Sequence, residues 1–236
     1  MVATTSAIFH LGHPLRSVFS INNLRHSWLS REALSGLIFG LSICLTILMQ
    51  LLEPHTFLLR NVFIILGIIS GVVYVFVISR LYMLRTVPAW NHFGTPATFI
   101  TTSLLLGIIA FMAFIVINDS FGNFAFDNQF YSKYVWLLGK WTIILIGIQF
   151  LIYSISTVVL FRAGGKGAES VSLYWGKLRS ISIYRWAFAF AGGFLIGLIL
   201  IYALNQTWLL LAFTLILFSE LIGRWLFYRI YRREGF

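Results

Sequence analysis

Polarity along this chain comes in blocks rather than in alternation. Six stretches, roughly 33–52, 57–79, 97–117, 136–161, 186–204 and 207–228, are nearly unbroken apolar runs. Each approaches the roughly 20 residues that a helix needs to cross a bilayer. Uniform apolarity argues against a β-barrel, whose strands alternate lipid-facing and lumen-facing residues. Backbone in lipid must satisfy its own hydrogen bonds, so helices are the natural form. The pattern predicts an all-α polytopic transmembrane helical bundle with six spans, forming a single membrane domain over 1–236.

The connections differ in character. Residues 1–31 are a polar, basic lead-in. Residues 80–96, RLYMLRTVPAWNHFGTP, read as an aromatic, proline-containing loop, with Thr95 as the cap and Pro96 at the first position of the next helix. In this loop Trp90 reads as an interfacial belt anchor, beside Arg85 and His92. Residues 118–134 carry Asp119 and Asp127, and residues 162–185 read as a glycine-rich, basic loop.

Composition agrees with the blocks. The chain is 59% hydrophobic and 10% charged, whereas soluble domains are about 25% charged. The net charge of +10 does not mark a nucleic-acid binder, because the basic residues flank apolar runs. With six spans, the lead-in, the 80–96 and 162–185 loops and the tail fall on one side, which carries 14 of the 17 lysines and arginines. Only Arg60, Lys133 and Lys140 fall on the other. The positive-inside rule then puts both ends on the cytoplasmic side.

Few residues can carry chemistry. Cys44 is the sole cysteine, so an iron–sulfur cluster held by four thiolates has no ligands, and Cys44 reads as small apolar filler. The histidines, His10, His13, His26, His55 and His92, lie in loops or at span ends, which speaks against intramembrane haem. No metal-site or nucleotide-binding spacing appears. Glu220 lies inside the last span with Arg224 four residues on, and the spacing suits a structural ion pair. Glu32 opens the first span in WLSREALSG, where a helix capped at Ser30 would favour an early carboxylate.

His10 and Glu32 fall at the same membrane face by the side count. Imidazole titrates near neutral pH and accepts a hydrogen bond from a hydroxyl, and a carboxylate can pass the proton on. A lipid-soluble quinol, which loses two protons with its two electrons, needs such a pair. Its ring and tail need an apolar pocket with a few polar anchors.

Three stretches together carry a family resemblance: FHLGHPLRSVFSINNLRHSWLSREALSG (9–36), RTVPAWNHFGTPATFITTSLLLG (85–107) and SELIGRWLFY (219–228). The sequence resembles the membrane-anchor subunit of dimethyl sulfoxide reductase and its relatives among anaerobic molybdoenzymes. The resemblance implies a haem-free anchor in the bacterial cytoplasmic (inner) membrane that binds and oxidises menaquinol. It is then a non-catalytic subunit of an oxidoreductase complex, with quinol oxidation at its own site. Electrons would pass to a separate iron–sulfur subunit and on to a molybdopterin catalytic subunit. The same resemblance puts the quinol-site histidine on His10 and the important glutamate on Glu32, with Gly12, Pro14 and Arg16 completing the quinol contacts. It implies no haem, iron–sulfur cluster or molybdenum in this chain.

The family pattern has eight spans, two of them before the HLGxP motif. Here nine residues precede His10, so the expectation is a chain without those two. In family members with an exported reductase the quinol face is the outer one, opposite to the charge count. Two other readings compete: a multi-pass transporter, and a structural tether without quinol activity.

Overall fold

A computed structural model describes residues 23–52, 57–120, 128–202 and 206–231. Among them are seven helices: α1 Trp28–Leu52, α2 Phe57–Tyr82, α3 Gly94–Ser120, α4 Asn128–Ala163, α5 Gly165–Trp175, α6 Arg179–Tyr202 and α7 Gln206–Arg229. Six are long and apolar enough to cross a membrane, and they match the six apolar blocks. The protein is a multi-pass helical membrane protein. The addition is α5, inside the stretch 162–185 that reads as loop. Glycines and charges hide it, yet Gly167, Ser170 and Tyr174 recur every three or four residues and form its buried face.

The chain divides into two compact units, Met1–Met83 and Leu84–Phe236. In the first, α1 packs along α2. Water drives no association between helices in lipid, so close packing of small residues must hold the pair. The seam is built accordingly. A Cβ on Gly36 would lie 3.0 Å from the Tyr74 ring, and one on Gly71 would lie 3.0 Å from the Phe39 ring. Each helix thus offers a glycine to the other's aromatic ring, and the two rings stack at 6.2 Å.

Serines fill the rest of the seam and satisfy themselves within their own helices. Ser35 donates to the Arg31 carbonyl at 2.8 Å, Ser42 to Ile38 at 2.7 Å and Ser70 to Leu66 at 2.7 Å. The outward faces are apolar, as lipid contact requires, and Cys44 lies on one of them.

The second unit is a ring of four spans: α3 packs on α4, α4 on α6, α6 on α7 and α7 back on α3. Leu105, Ile109, Leu145, Ile146, Ile196, Ala212 and Ile216 fill its middle. Met112, Val135, Ile199 and Leu209 form a second apolar layer. The start of α3, the end of α4, α5, the start of α6 and the end of α7 share one end of this ring. That end gathers Arg85, Arg162, Lys166, Lys177, Arg179 and Arg229, in keeping with the uneven charge count.

The segment 84–93 closes that end. Trp90 is not a lipid-facing anchor: it is 9% exposed. Its indole N–H donates to the Phe227 carbonyl at 2.9 Å, and its ring stacks on Phe227 at 5.2 Å. The start of α3 also differs from expectation. The Thr95 hydroxyl turns back to the Trp90 carbonyl at 2.6 Å, and the His92 Nδ1 accepts the Gly94 N–H at 3.0 Å. The imidazole therefore does the capping that the Thr95-Pro96 pair suggested for threonine.

Candidate functional site

The expected quinol-site residues divide at the edge of the described region. His10, Gly12, Pro14 and Arg16 lie outside the described residues; Glu32 lies within them. It is half-buried on α1, one turn before Gly36, whose Cα faces the Tyr74 ring. The helix opens earlier than expected, at Trp28, and the Ser27 hydroxyl accepts the Ser30 N–H at 3.2 Å. Ser27 rather than Ser30 is the cap. Glu32 is then beyond the first turn, where helix-dipole stabilisation has largely faded.

Nearby cations are tied to the protein. Arg31 donates to the Leu24 and Arg25 carbonyls at 2.8 and 2.9 Å and lies 4.3 Å from the Trp28 ring centre. Arg80 approaches the same ring at 5.4 Å. These contacts fix the residues just before α1 against the start of the span.

A second polar constellation lies inside the second unit. On α3, Thr95, Thr98 and Thr102 fall three and four residues apart; on α4, Gln149, Tyr153 and Ser156 do the same. Each set lines one helix face. Polar groups in a span avoid lipid and point into the bundle. They meet Arg185 of α6 and Glu220 of α7, which are 5% and 4% exposed. Gln149 Nε2 donates to Thr102 Oγ1 at 3.2 Å, and Thr102 donates to Glu220 Oε2 at 2.7 Å. Unlike the seam serines, Thr102 spends its hydrogen on another helix.

Arg185 is held by aromatic rings, its guanidinium carbon 4.9 Å from the Tyr153 centroid and 4.7 Å from Trp186. It reaches α7 because residue 223 is glycine: a Cβ there would sit 2.7 Å from Arg185 Nε. Arg224, the expected partner of Glu220, lies 3.8 Å over the Phe99 ring. Arg224 and Glu220 line the same cavity. Tyr174 seals the α5 side, its ring 4.9 Å from that of Tyr153.

His92 stands at the outer end of this cavity with both ring nitrogens engaged. Nδ1 accepts from Gly94, so Nε2 carries the hydrogen and donates to the Ala89 carbonyl at 3.0 Å. Burial holds its pKa below the ordinary 6.5, partly opposed by the Ala89 bond. The ring is neutral and structural. Among the described residues no three His, Cys, Asp or Glu side chains gather as a metal site would need.

Residue-by-residue reading misses Arg185, Thr102, Gln149, Tyr153 and Ser156. The available signal is the helical spacing of polar residues inside the third and fourth spans. Arg185 reads from sequence as a loop charge, and the structure makes it part of the bundle interior.

The sequence matches the family described as DMSO reductase anchor subunit (DmsC) over residues 2–230. It is 33% identical over 103 residues to the C subunit of the anaerobic dimethyl sulfoxide reductase of Escherichia coli, covering 43% of this chain and 36% of that one. It is 29% identical over 113 residues to the Haemophilus influenzae protein of the same description, covering 48% of this chain and 40% of that one. Against the anaerobic dimethyl sulfoxide reductase subunit YnfH of Escherichia coli it is 32% identical over 108 residues, with 46% of this chain and 38% of that one covered. The sequence thus spans well under half the length of these curated relatives. No solved structure matches it.

Proposed function

This chain belongs to the DMSO reductase anchor subunit (DmsC) family, and on that footing we propose that it oxidises menaquinol at the membrane and delivers the electrons to a reductase. It sits in the bacterial inner membrane and holds an iron–sulfur electron-transfer subunit, which passes electrons to a molybdopterin catalytic subunit. His10 accepts the first quinol hydroxyl proton and Glu32 the second, with Gly12, Pro14 and Arg16 shaping the headgroup site. The quinol is a bound substrate; the redox centres that take its electrons belong to the partner subunits.

The observation that carries this reading is the family match over residues 2–230 together with a half-buried carboxylate, Glu32, in the first span. An acidic group there is costly unless it has a role. The flanking helix faces are apolar and open to lipid, which suits a lipid-soluble donor.

The test is quinol-driven reduction by the complete membrane complex carrying His10→Ala. The expected result is loss of quinol oxidation with all subunits still assembled. General acid–base groups of this kind contribute about 10²–10⁴-fold. Unchanged turnover would overturn the assignment and leave a tether. Intact redox activity with a solute-transport defect would favour a transporter.

A further inference from the structure

The Glu220 cavity plays no part in the quinol chemistry proposed above, and its make-up is unusual for lipid-embedded protein. Glu220 Oε1, Arg185 Nε and Ser156 Oγ are fully buried and find no hydrogen-bond partner among the described residues. Buried polar atoms are nearly always bonded to protein or to ordered water. Both ions would otherwise carry a large desolvation cost.

Size decides what can satisfy them. The cavity volume open to the centres of water-sized molecules is about 70 Å³. Pockets for organic ligands run to roughly 300–1,000 Å³, so a quinol ring does not fit. A water needs only one water-sized sphere of room, about 10–15 Å³, so a small cluster of waters fits. The groups facing the space are both donors and acceptors, as a water cluster requires.

The cavity also has a direction. Glu220 lies about 14 Å of helix rise from Arg229, at roughly 1.5 Å per residue. From Glu220 the lining runs outward through Arg224, Phe227 and Ile230, with His92 and Ala89 opposite. His92, Arg224 and Ile230 are partly exposed.

We propose that this cavity is a hydrated proton-holding site: a chain of internal waters joins Glu220, Arg185 and Ser156 and connects the Glu220 carboxyl to the aqueous face at the basic end of the second unit. A hydronium reaching the cluster gives its proton to the carboxylate, leaving a neutral acid and a water, and the reverse step returns it. Arg185 of α6, Arg224 of α7, Tyr153 of α4 and Tyr174 of α5 line the cavity with Glu220, and the neutral His92 stands at the mouth. Thr102, itself held by Gln149, fixes the other carboxylate oxygen, so Oε1 is the one that exchanges.

Hydroxyl-radical footprinting of the full protein in nanodiscs tests the hydration. Radicals made from internal water oxidise side chains beside it. Tyr174 is 2% exposed and Met112, intrinsically more reactive, is 1% exposed in a dry layer. The expected result is oxidation of Tyr174 comparable to that of Tyr231, which is exposed beyond the end of α7, with Met112 spared. Protection of both residues, or oxidation of both, would overturn the proposal.

Infrared spectroscopy tests the exchange. At a pH acidic enough to protonate Glu220, its carboxylic C=O band, identified as the one lost in Glu220→Gln, should shift as soon as the protein meets D₂O. A band that persists as long as the buried helix amides would overturn the claim. Neither readout depends on quinol turnover, so failure here and failure of the quinol assignment remain separate results.

Discussion

The two units solve the same problem in opposite ways. The α1–α2 seam is polar in composition but closed in chemistry: Ser35, Ser42 and Ser70 each return their hydrogen to a carbonyl of their own helix. Nothing across the seam is needed to satisfy them. In the second unit, Thr102, Gln149, Glu220 and Arg185 depend on groups from other helices. In lipid a hydroxyl can hide its polarity locally, but a carboxylate or guanidinium cannot. Serines in a span therefore speak of packing, and buried charges speak of a site.

The sharpest break of this contrast is Arg185→Met. The change takes one of two cations out of the Glu220 cavity, and removing a partner of a buried charge costs up to about 3–5 kcal/mol. Thermal unfolding in detergent should show it as the largest loss of any single change discussed here. Adding Glu220→Leu should recover most of that loss, because replacing both charges by apolar groups is often neutral or better. A double variant as unstable as Arg185→Met would mean that the loss is one of packing and not of charge.

Next in size is Gly223→Val. The new side chain meets the Arg185 guanidinium, which is held between rings and cannot step aside freely. Overpacking of this kind costs about 1–3 kcal/mol, again measured by unfolding. The same substitution at Gly107, which has open space around its Cβ position, should show no such clash and serves as the control.

His92 gives a smaller, pH-dependent effect. Its pKa in the folded protein lies below 6.5 because burial favours the neutral ring. The stability it contributes is therefore fully present above 6.5 and is lost as pH falls through the folded value. Protonation also removes the lone pair that accepts the Gly94 N–H. The unfolding temperature should fall on acidification more steeply in the parent protein than in a His92→Gln variant.

The smallest change belongs to the first unit. Gly71→Ala brings a methyl to 3.0 Å from the Phe39 ring edge, which costs a little, but alanine is about 1 kcal/mol better than glycine inside a helix. Unfolding should show a net effect near zero. A loss as large as that of Gly223→Val would mean that the seam is as unforgiving as the charged cavity.

The spans were legible because some twenty apolar residues in a row have few alternatives. What escaped needed a neighbour from elsewhere in the chain. The sequence suggests Arg224 as the companion of Glu220 because only residues on the same helix can be matched by spacing. The Thr102 hydroxyl, 118 residues away in sequence, is invisible to that logic. Arg185 looks like a topological charge until α7 presents Gly223 to it. Trp90 looks like a membrane anchor until Phe227 offers a carbonyl. Helix α5 escaped because only three inward residues mark it within a glycine-rich stretch. His10 and Glu32, by contrast, were singled out by residue chemistry and family resemblance alike.

The central claim is that Glu32 is a quinol ligand, and affinity tests it most directly. Binding of a naphthoquinol analogue should be titrated against the assembled complex and its Glu32→Gln variant, with Glu169→Gln, in the exposed Lys166–Glu169 pair, as control. A hydrogen bond to a charged group is worth about 1.5–3 kcal/mol, so Glu32→Gln should weaken binding by roughly ten- to hundredfold while the control binds normally. Equal affinity in the Glu32→Gln complex and the parent would contradict the assignment.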